Sequence, residues 1–278
     1  MSEQVLIDNW DSDFKESPAG RIPRNWETKR LSEISDQITK GSTPTTYGFD
    51  WQDSGILFLK SESIKPNEFT LDGCKHISLD AHNHLNRSKI KGGDILISIT
   101  GYIGRACVFP EFYPEANINQ HIARVRLKKQ SLVDFVVQYL NTDTQQIRYF
   151  KIQTGQAYPQ LSLKQIQDTV IPFPPLPEQK KIASILTSVD EVIEKTQSQI
   201  NKLQDLKKAT MNELLTRGIG HTEFKDSPVG RIPKSWDVKS LSDVTNVITK
   251  GTTPTTLGHS FSDQGINFIK VESIISDG

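Results

Sequence analysis

The sequence predicts an α+β chain. A mixed α/β domain covers residues 1–175 and a long coiled-coil spacer helix covers 176–220. Residues 221–278 read as the incomplete start of a second copy of the first domain. Three observations lead there. Strand-sized apolar runs bounded by glycine alternate with helical stripes through the first 170 residues. A glycine- and proline-free stretch of heptad character runs from Glu178 to Arg217. The segment from Phe14 to Ile64 reappears without a gap from Phe224 to Ile274, with 29 of 51 positions identical.

The repeat has clear landmarks. SPAGRIPRNW (17–26) returns as SPVGRIPKSW (227–236), ITKGSTPTT (38–46) as ITKGTTPTT (248–256), and GILFLKSESI (55–64) as GINFIKVESI (265–274). An offset of 210 residues is too long for a solenoid and reads as a duplicated domain with its linker. The partners available to the first copy at 65–170 have no counterpart after the second. The expectation is a truncated form of a two-copy protein, or a tail that finds its partners elsewhere.

The elements follow in order. Residues 26–31 form a short strand leading into a turn. Residues 56–60 (ILFLK) and 94–99 (DILISI) read as buried strands between turn signals. Residues 120–127 (QHIARVRL) alternate polar and apolar, predicting a half-buried strand. Residues 131–151 read as one helix with Ser131 as N-cap and a stripe of Leu132, Phe135, Val136, Tyr139 and Leu140. A short helix follows at 162–166. Pro172, Pro174, Pro175 and Pro177 make a rigid extended joint, because each ring fixes φ and biases the residue before it away from helix. Pro177 suits the first turn of the helix that follows.

That helix carries apolar or small residues at Ile182, Leu186, Val189, Ile193, Thr196, Ile200, Leu203, Thr210 and Leu214, a heptad seam interrupted at Lys207. Ile185, Val192 and Leu206 widen it. Gly218 is the expected stop. A lone amphipathic rod is unstable in water, so the seam predicts another helix against it. The competing reading packs the helix on its own domain.

Composition limits function. The chain has 278 residues, with 33 Lys+Arg against 33 Asp+Glu, 24% charged and 35% hydrophobic. The isoelectric point is near 7.0 and the mean hydropathy −0.45. These values exclude a membrane protein, a disordered polyelectrolyte and a collagen-like chain. They also lack the basic excess of a simple nucleic-acid binder. The N-terminus has no signal-peptide pattern, and two free cysteines, Cys74 and Cys107, fit a reducing cytoplasm. Cys74, His76, His82 and His84 lie close together but match no established ligand spacing. They read as a polar loop, and no metal is assigned.

Three motifs carry a resemblance: IPFPPLPEQKKIA (171–183), TGQAYPQLSLKQI (154–166) and GGDILISITGYIGRA (92–106). Together with the duplication, they make the chain resemble the specificity subunit of type I restriction-modification systems. The resemblance implies two target recognition domains, each followed by a long helix, with the helices packed antiparallel as a spacer. Each domain reads one half of a split double-stranded DNA sequence. The subunit is non-catalytic. It docks adenine-methyltransferase subunits and the restriction subunit, and S-adenosylmethionine, ATP and Mg belong to those partners. Here one recognition domain, one helix and the start of a second domain are present. The expectation is self-association through Ile182, Leu186, Val189, Ile193, Ile200, Leu203 and Leu214, giving a symmetric interrupted target.

Three loops and one lysine supply the candidate DNA contacts. In the first loop Lys40, Ser42, Thr43, Thr45 and Thr46 suit phosphate, and Tyr47 suits stacking or wedging. This loop is nearly identical in the second copy: Ser42 becomes Thr252, keeping its hydroxyl, while Tyr47 becomes Leu257. Shared positions read as scaffold or phosphate contacts and Tyr47 as a base reader. Tyr102 and Arg105 follow the strand at 94–99 between glycines that allow close approach, and Arg105 suits phosphate or guanine. Gln156, Tyr158 and Gln160 offer amides for adenine and an aromatic ring. Lys60 completes the set. Each has an ordinary reading as a polar turn or a surface side chain. Arg124, Arg126, Lys128 and Lys129 form the densest basic run, read equally as a DNA flank or a solvated strand edge.

Segment charges balance: 20 basic and 20 acidic groups in 1–176, 7 and 7 in 177–223, 6 and 6 in 224–278. DNA binding by such a chain needs positive charge gathered on one face, or supplied by partners. Two other functions compete. A methyltransferase would need a glycine-rich cofactor loop and an (N/D)PP(Y/F) motif, and Pro172-Phe-Pro-Pro175 is not that motif. A coiled-coil partner or decoy of the methyltransferase would bind no DNA.

Overall fold

The computed structural model describes residues 13–155 and 158–274. The chain divides into two units, with the boundary inside the long helix between Gln199 and Ile200.

The first unit is built on a four-stranded antiparallel sheet in the order Ala106–Val108, Ile95–Ser98, Ile122–Leu127, Ser35–Lys40. Alternate side chains of a strand point to opposite faces. Here both faces are covered. Ile95, Ile97, Ala123 and Val125 face a core shared with the helix Val133–Leu140 and with Leu31, Tyr149 and Ile171. Leu96, Cys107 and Ile122 face a second core with Leu59, Ile64, Phe109 and Ile118. A second sheet, in the order Lys75–Ile77, Ile56–Leu59, Ala116–Ile118, Lys89–Ile90, encloses that side, and its middle pair runs parallel.

This two-sided burial corrects the reading of residues 120–127 as a half-buried strand: the strand is Ile122–Leu127, and only Arg126 among its residues is even partly exposed. It also corrects the basic run. Arg124 is buried between the sheets, donating to the Lys89 carbonyl and to Gln37 Oε1. Burial lowers its pKa below the ordinary guanidinium value. Arg126 forks onto buried Asp94 with two bonds of 2.7 Å, which raise its pKa. Only Lys128 and Lys129 of the run are exposed.

The helix expected at 131–151 is two helices, Val133–Leu140 and Asp143–Ile152. Ser131 caps neither. Thr142 accepts from Gln145 N to start the second, and Asn141 turns inward to hold both the N–H and the carbonyl of Ala106. The strand Val170–Phe173 pairs antiparallel with Glu27–Arg30 and fixes the proline joint to the start of the domain. Trp26 Nε1 donates to Glu178 Oε2 at 3.1 Å across that joint.

The long helix runs from Leu176 to Arg217. With 42 residues it is about 63 Å long. Its uninterrupted run of helix formers ends at Gly218, which takes φ +66°, and Gly218 N donates to the Leu214 carbonyl. Only its beginning packs on the domain: Gln179 and Ala183 are buried, and Ile182 is half-buried. Every residue from Glu191 to Arg217 is exposed. The expected seam lies bare, with Leu186 at 40%, Val189 at 51%, Ile193 at 61%, Ile200 at 42%, Leu203 at 64% and Leu214 at 43% exposure. Among the described residues no helix is long and apolar enough to cross a membrane.

Beyond the helix, the second unit holds a hairpin, Phe224–Ser227 with Gly230–Pro233, and a one-turn helix, Leu241–Val244. Two short 3-10 turns, Pro254–Leu257 and Val271–Ser273, follow. Among its described residues from 224 on, Ile232 and Pro233 alone are buried.

Candidate nucleic-acid interface

The sheet register brings the predicted loops together. Lys40 pairs with Ala123, Ala123 with Ile97, and Ile122 with Ser98. The loops 41–47, 99–105 and 119–121 therefore leave the same end of the central sheet. The loop 154–160 closes on that end through bridges from Gln160 to Thr100 and Thr154, and Leu161 N donates to the Ile99 carbonyl. Lys60 follows Leu59, whose carbonyl accepts from Asn119 N, so it joins the same end.

The first loop is held by its backbone. A Cβ on Gly41 would lie 1.8 Å from the Ile118 carbonyl oxygen, so only glycine lets the chain pass there. Ser42 N donates to Ser88 Oγ at 3.0 Å. The Thr43 hydroxyl donates to Gln120 Oε1 and is thereby engaged within the protein. A 3-10 turn, Pro44–Tyr47, then presents Thr45, Thr46 and Tyr47 outward, closed by Gly48 at φ +80°. Tyr47 is half-exposed and its ring lies 5.3 Å from that of His84. Lys40 is exposed at the strand end, while Lys60 is part-buried with its ammonium 5.9 Å from the Trp51 ring.

The second loop is a tight connection between Ile95–Ser98 and Ala106–Val108. Gly101 and Gly104 take φ +76° and +83°. The Ser98 hydroxyl donates to the Tyr102 carbonyl, and Gly104 N to the Ser98 carbonyl. Arg105 lies over the Tyr102 ring with its Cζ 4.1 Å from the centroid. Stacking leaves the guanidinium edge available for bidentate bonds to phosphate or guanine. Ile103, Ile147 and Phe150 line a shallow apolar hollow beside this loop.

The third loop is pinned by reciprocal bonds between Thr154 and Gln160 of 3.0 and 2.8 Å. Tyr158 projects from it, 82% exposed, and Gln160 is exposed. Gln156 lies outside the described residues.

Sequence reasoning missed Gln120, His121 and Arg87. Gln120 and His121 occupy the three-residue turn between Ala116–Ile118 and Ile122–Leu127, and their side chains meet at 3.0 Å. Exposed Arg87 sits beside the strand Ser35–Lys40, its carbonyl accepting from Thr39 Oγ1. An asparagine-led polar turn, Asn119-Gln120-His121, was the available signal for the first two. The histidines weighed with Cys74 are dispersed: buried His82 bonds Asn117 at 2.5 Å, and His84 meets the rings of Tyr47 and Phe49 at tilted angles. No group of three or more metal-ligating side chains occurs among the described residues.

The family described as "Type I restriction modification DNA specificity domain" matches residues 23–205. The putative type I restriction enzyme MjaX specificity subunit of Methanocaldococcus jannaschii is 28% identical over 94% of this chain. The MjaIX specificity subunit of the same organism is 26% identical over 96%. The chain spans 62% of the length of both relatives. A chain solved in a study of complex assembly and conformational transition of the type I R-M system aligns over 76% of this chain and 50% of its own length. Its TM-score is 0.50 and its identity 20%, a likeness of fold.

Proposed function

Because the chain belongs to the type I restriction-modification DNA specificity family, we propose that it reads one half of an interrupted double-stranded DNA target through the loops at the end of its central sheet. One observation carries this reading: the loops singled out in the sequence, represented by 40–47, 102–105 and the described residues 158–160, lie at one end of one sheet. The placement of Lys40, Lys60 and Arg105 at a single end of a neutral chain supports it. Thr45, Thr46 and Lys40 contact phosphate, and Arg105, Tyr47, Tyr158 and Gln160 reach base edges or stack. Thr43 positions Gln120 instead of touching DNA.

The chain is non-catalytic in this reading and works with methyltransferase and restriction subunits, which carry S-adenosylmethionine, ATP and Mg. Two copies associate antiparallel through the bare helix seam, and a two-fold axis turns one reader into a symmetric, interrupted site. The test has two parts. Light scattering of the chain is expected to give a dimer. Duplex binding in the presence of the methyltransferase subunit is expected to show sequence preference, and mapping methylated adenines in a host carrying both is expected to yield an inverted repeat. Methyltransferase capture without sequence preference would replace this reading with that of a decoy.

A further inference from the structure

The turn Asn119-Gln120-His121 joins Ala116–Ile118 of one sheet to Ile122–Leu127 of the other, and its backbone is tied to both sides. Asn119 N donates to the Leu59 carbonyl at 3.1 Å, and the His121 carbonyl accepts from Ile99 N at 2.9 Å. Within the turn, Oδ1 of buried Asn119 accepts from His121 N at 3.0 Å. The first loop lies directly against this turn. A Cβ on Gly41 would fall 2.5 Å from the Asn119 carbonyl oxygen, and that close passage brings Thr43 to Gln120.

The three side chains form a relay. The Thr43 hydroxyl donates to Gln120 Oε1, which fixes the two ends of the amide. The other end, Nε2, meets His121 Nε2 at 3.0 Å. An amide nitrogen only donates, so His121 Nε2 accepts and the imidazole proton sits on Nδ1. Among the described residues Nδ1 has no protein partner, and it is not one of the buried polar atoms left unpaired, which are Arg124 Nε and Gln179 Oε1. It is therefore open to solvent. Two donors remain on offer: the second Nε2–H of exposed Gln120 and the Nδ1–H of His121. The amide oxygen, the acceptor half of the usual glutamine fork on adenine, is already occupied.

We infer that Gln120 and His121 form a donor-only reader of guanine from the major groove, with Thr43 as its positioning residue. The inference rests on the half-site reading proposed above. Guanine presents two acceptors in the major groove, N7 and O6. Adenine sets an N–H donor beside N7, cytosine presents a donor, and thymine one acceptor beside its methyl group. Two donors match the guanine edge alone. Against adenine one of them faces another donor and goes unpaired, which is the costly outcome for a desolvated polar group. Without the Thr43 hydroxyl the amide is free to turn over, offer Oε1 and accept adenine as well.

The test maps methylated adenines in a host carrying the full chain and its methyltransferase subunit. Competition binding of that complex to duplexes changed at single positions follows. The parent is expected to require guanine at one position of the half-site. Gln120→Ala and His121→Ala should each relax that position alone, cutting the preference for guanine about tenfold. Thr43→Val keeps the shape of the side chain and removes its hydroxyl, so it should relax the same position toward adenine. Thr43→Ser should restore guanine, a rescue that packing by the threonine methyl group would not give. The Thr43 pair carries the measurement should an alanine variant fail to fold. Weakening that is equal for every duplex, relaxation at a position other than guanine, or an unchanged preference in all variants overturns the guanine assignment and leaves the half-site reading intact. Equal behaviour of Thr43→Val and Thr43→Ser overturns the positioning role. A parent complex without sequence preference overturns the half-site reading and the assignment together.

Discussion

Both carboxylate oxygens of Asp94 accept from Arg126, and Lys91 N donates to one of them at 2.9 Å. Asp94 is 1% exposed, so removing the guanidinium strands a charge in a place water does not reach. Arg126→Ala is expected to lower stability by about 3 kcal/mol in urea denaturation. The exposed residues proposed to contact DNA should behave oppositely. Tyr158→Ala should leave stability within about 0.5 kcal/mol and weaken duplex binding by roughly fivefold to a hundredfold, at about 1–3 kcal/mol for a base contact. Lys40→Ala should weaken binding uniformly across sequences and lower the salt slope by about 0.9, both read from titrations at several salt concentrations. The Cys74 thiol gives a pH dependence. Burial pushes its pKa up from 9.0 to about 11. The folded state holds that proton more tightly, so the associated stability is complete below pH 9 and lost as pH rises from there through 11. Melting curves across that window check the sign, and iodoacetamide labelling at pH 8 should be slow until the chain unfolds.

The elements show what was legible from sequence and what was not. The long helix was readable nearly to the residue, because forty residues without glycine or proline and a heptad seam are local facts. The strand at 122–127 was misjudged because Arg124 and Arg126 mimic an alternating, half-solvated pattern. Their partners Gln37 and Asp94 lie far away in sequence. The break between the helices at Asn141 was hidden for the same reason: Asn141 bonds Ala106, a contact set by tertiary packing. The candidate loops were found one by one from glycine, hydroxyl and aromatic chemistry. That they share an end of the sheet follows from the pairing of Ile122 with Ser98 and of Ala123 with Lys40, which no local pattern reveals. At this scale the seam makes its own prediction. Leu203→Asp should abolish the proposed dimer in light scattering and shift the melting of the domain little, since Leu203 is exposed.

At the scale of the whole molecule the proposed pairing would make the helix a length standard. Its first turn is tied to the domain through Glu178 and Gln179, and the rest is uninterrupted. Four residues inserted between Gln204 and Asp205 add about 6 Å of rise. In an antiparallel pair that moves the two readers apart by about two base pairs, at roughly 3.4 Å each. Mapping of methylated adenines should therefore return the same half-sites with a gap longer by about two.

The bare seam ties pairing to solubility. Residues 177–223 carry equal numbers of positive and negative groups, so no net charge repulsion keeps two such helices apart. A copy whose helix stays unpaired would present a long apolar stripe in a colloid with no net charge, the condition under which proteins coagulate. In the proposed dimer each copy covers the stripe of the other, so a seam variant that keeps its apolar residues but cannot pair should partition into insoluble material, while the paired chain should stay in solution.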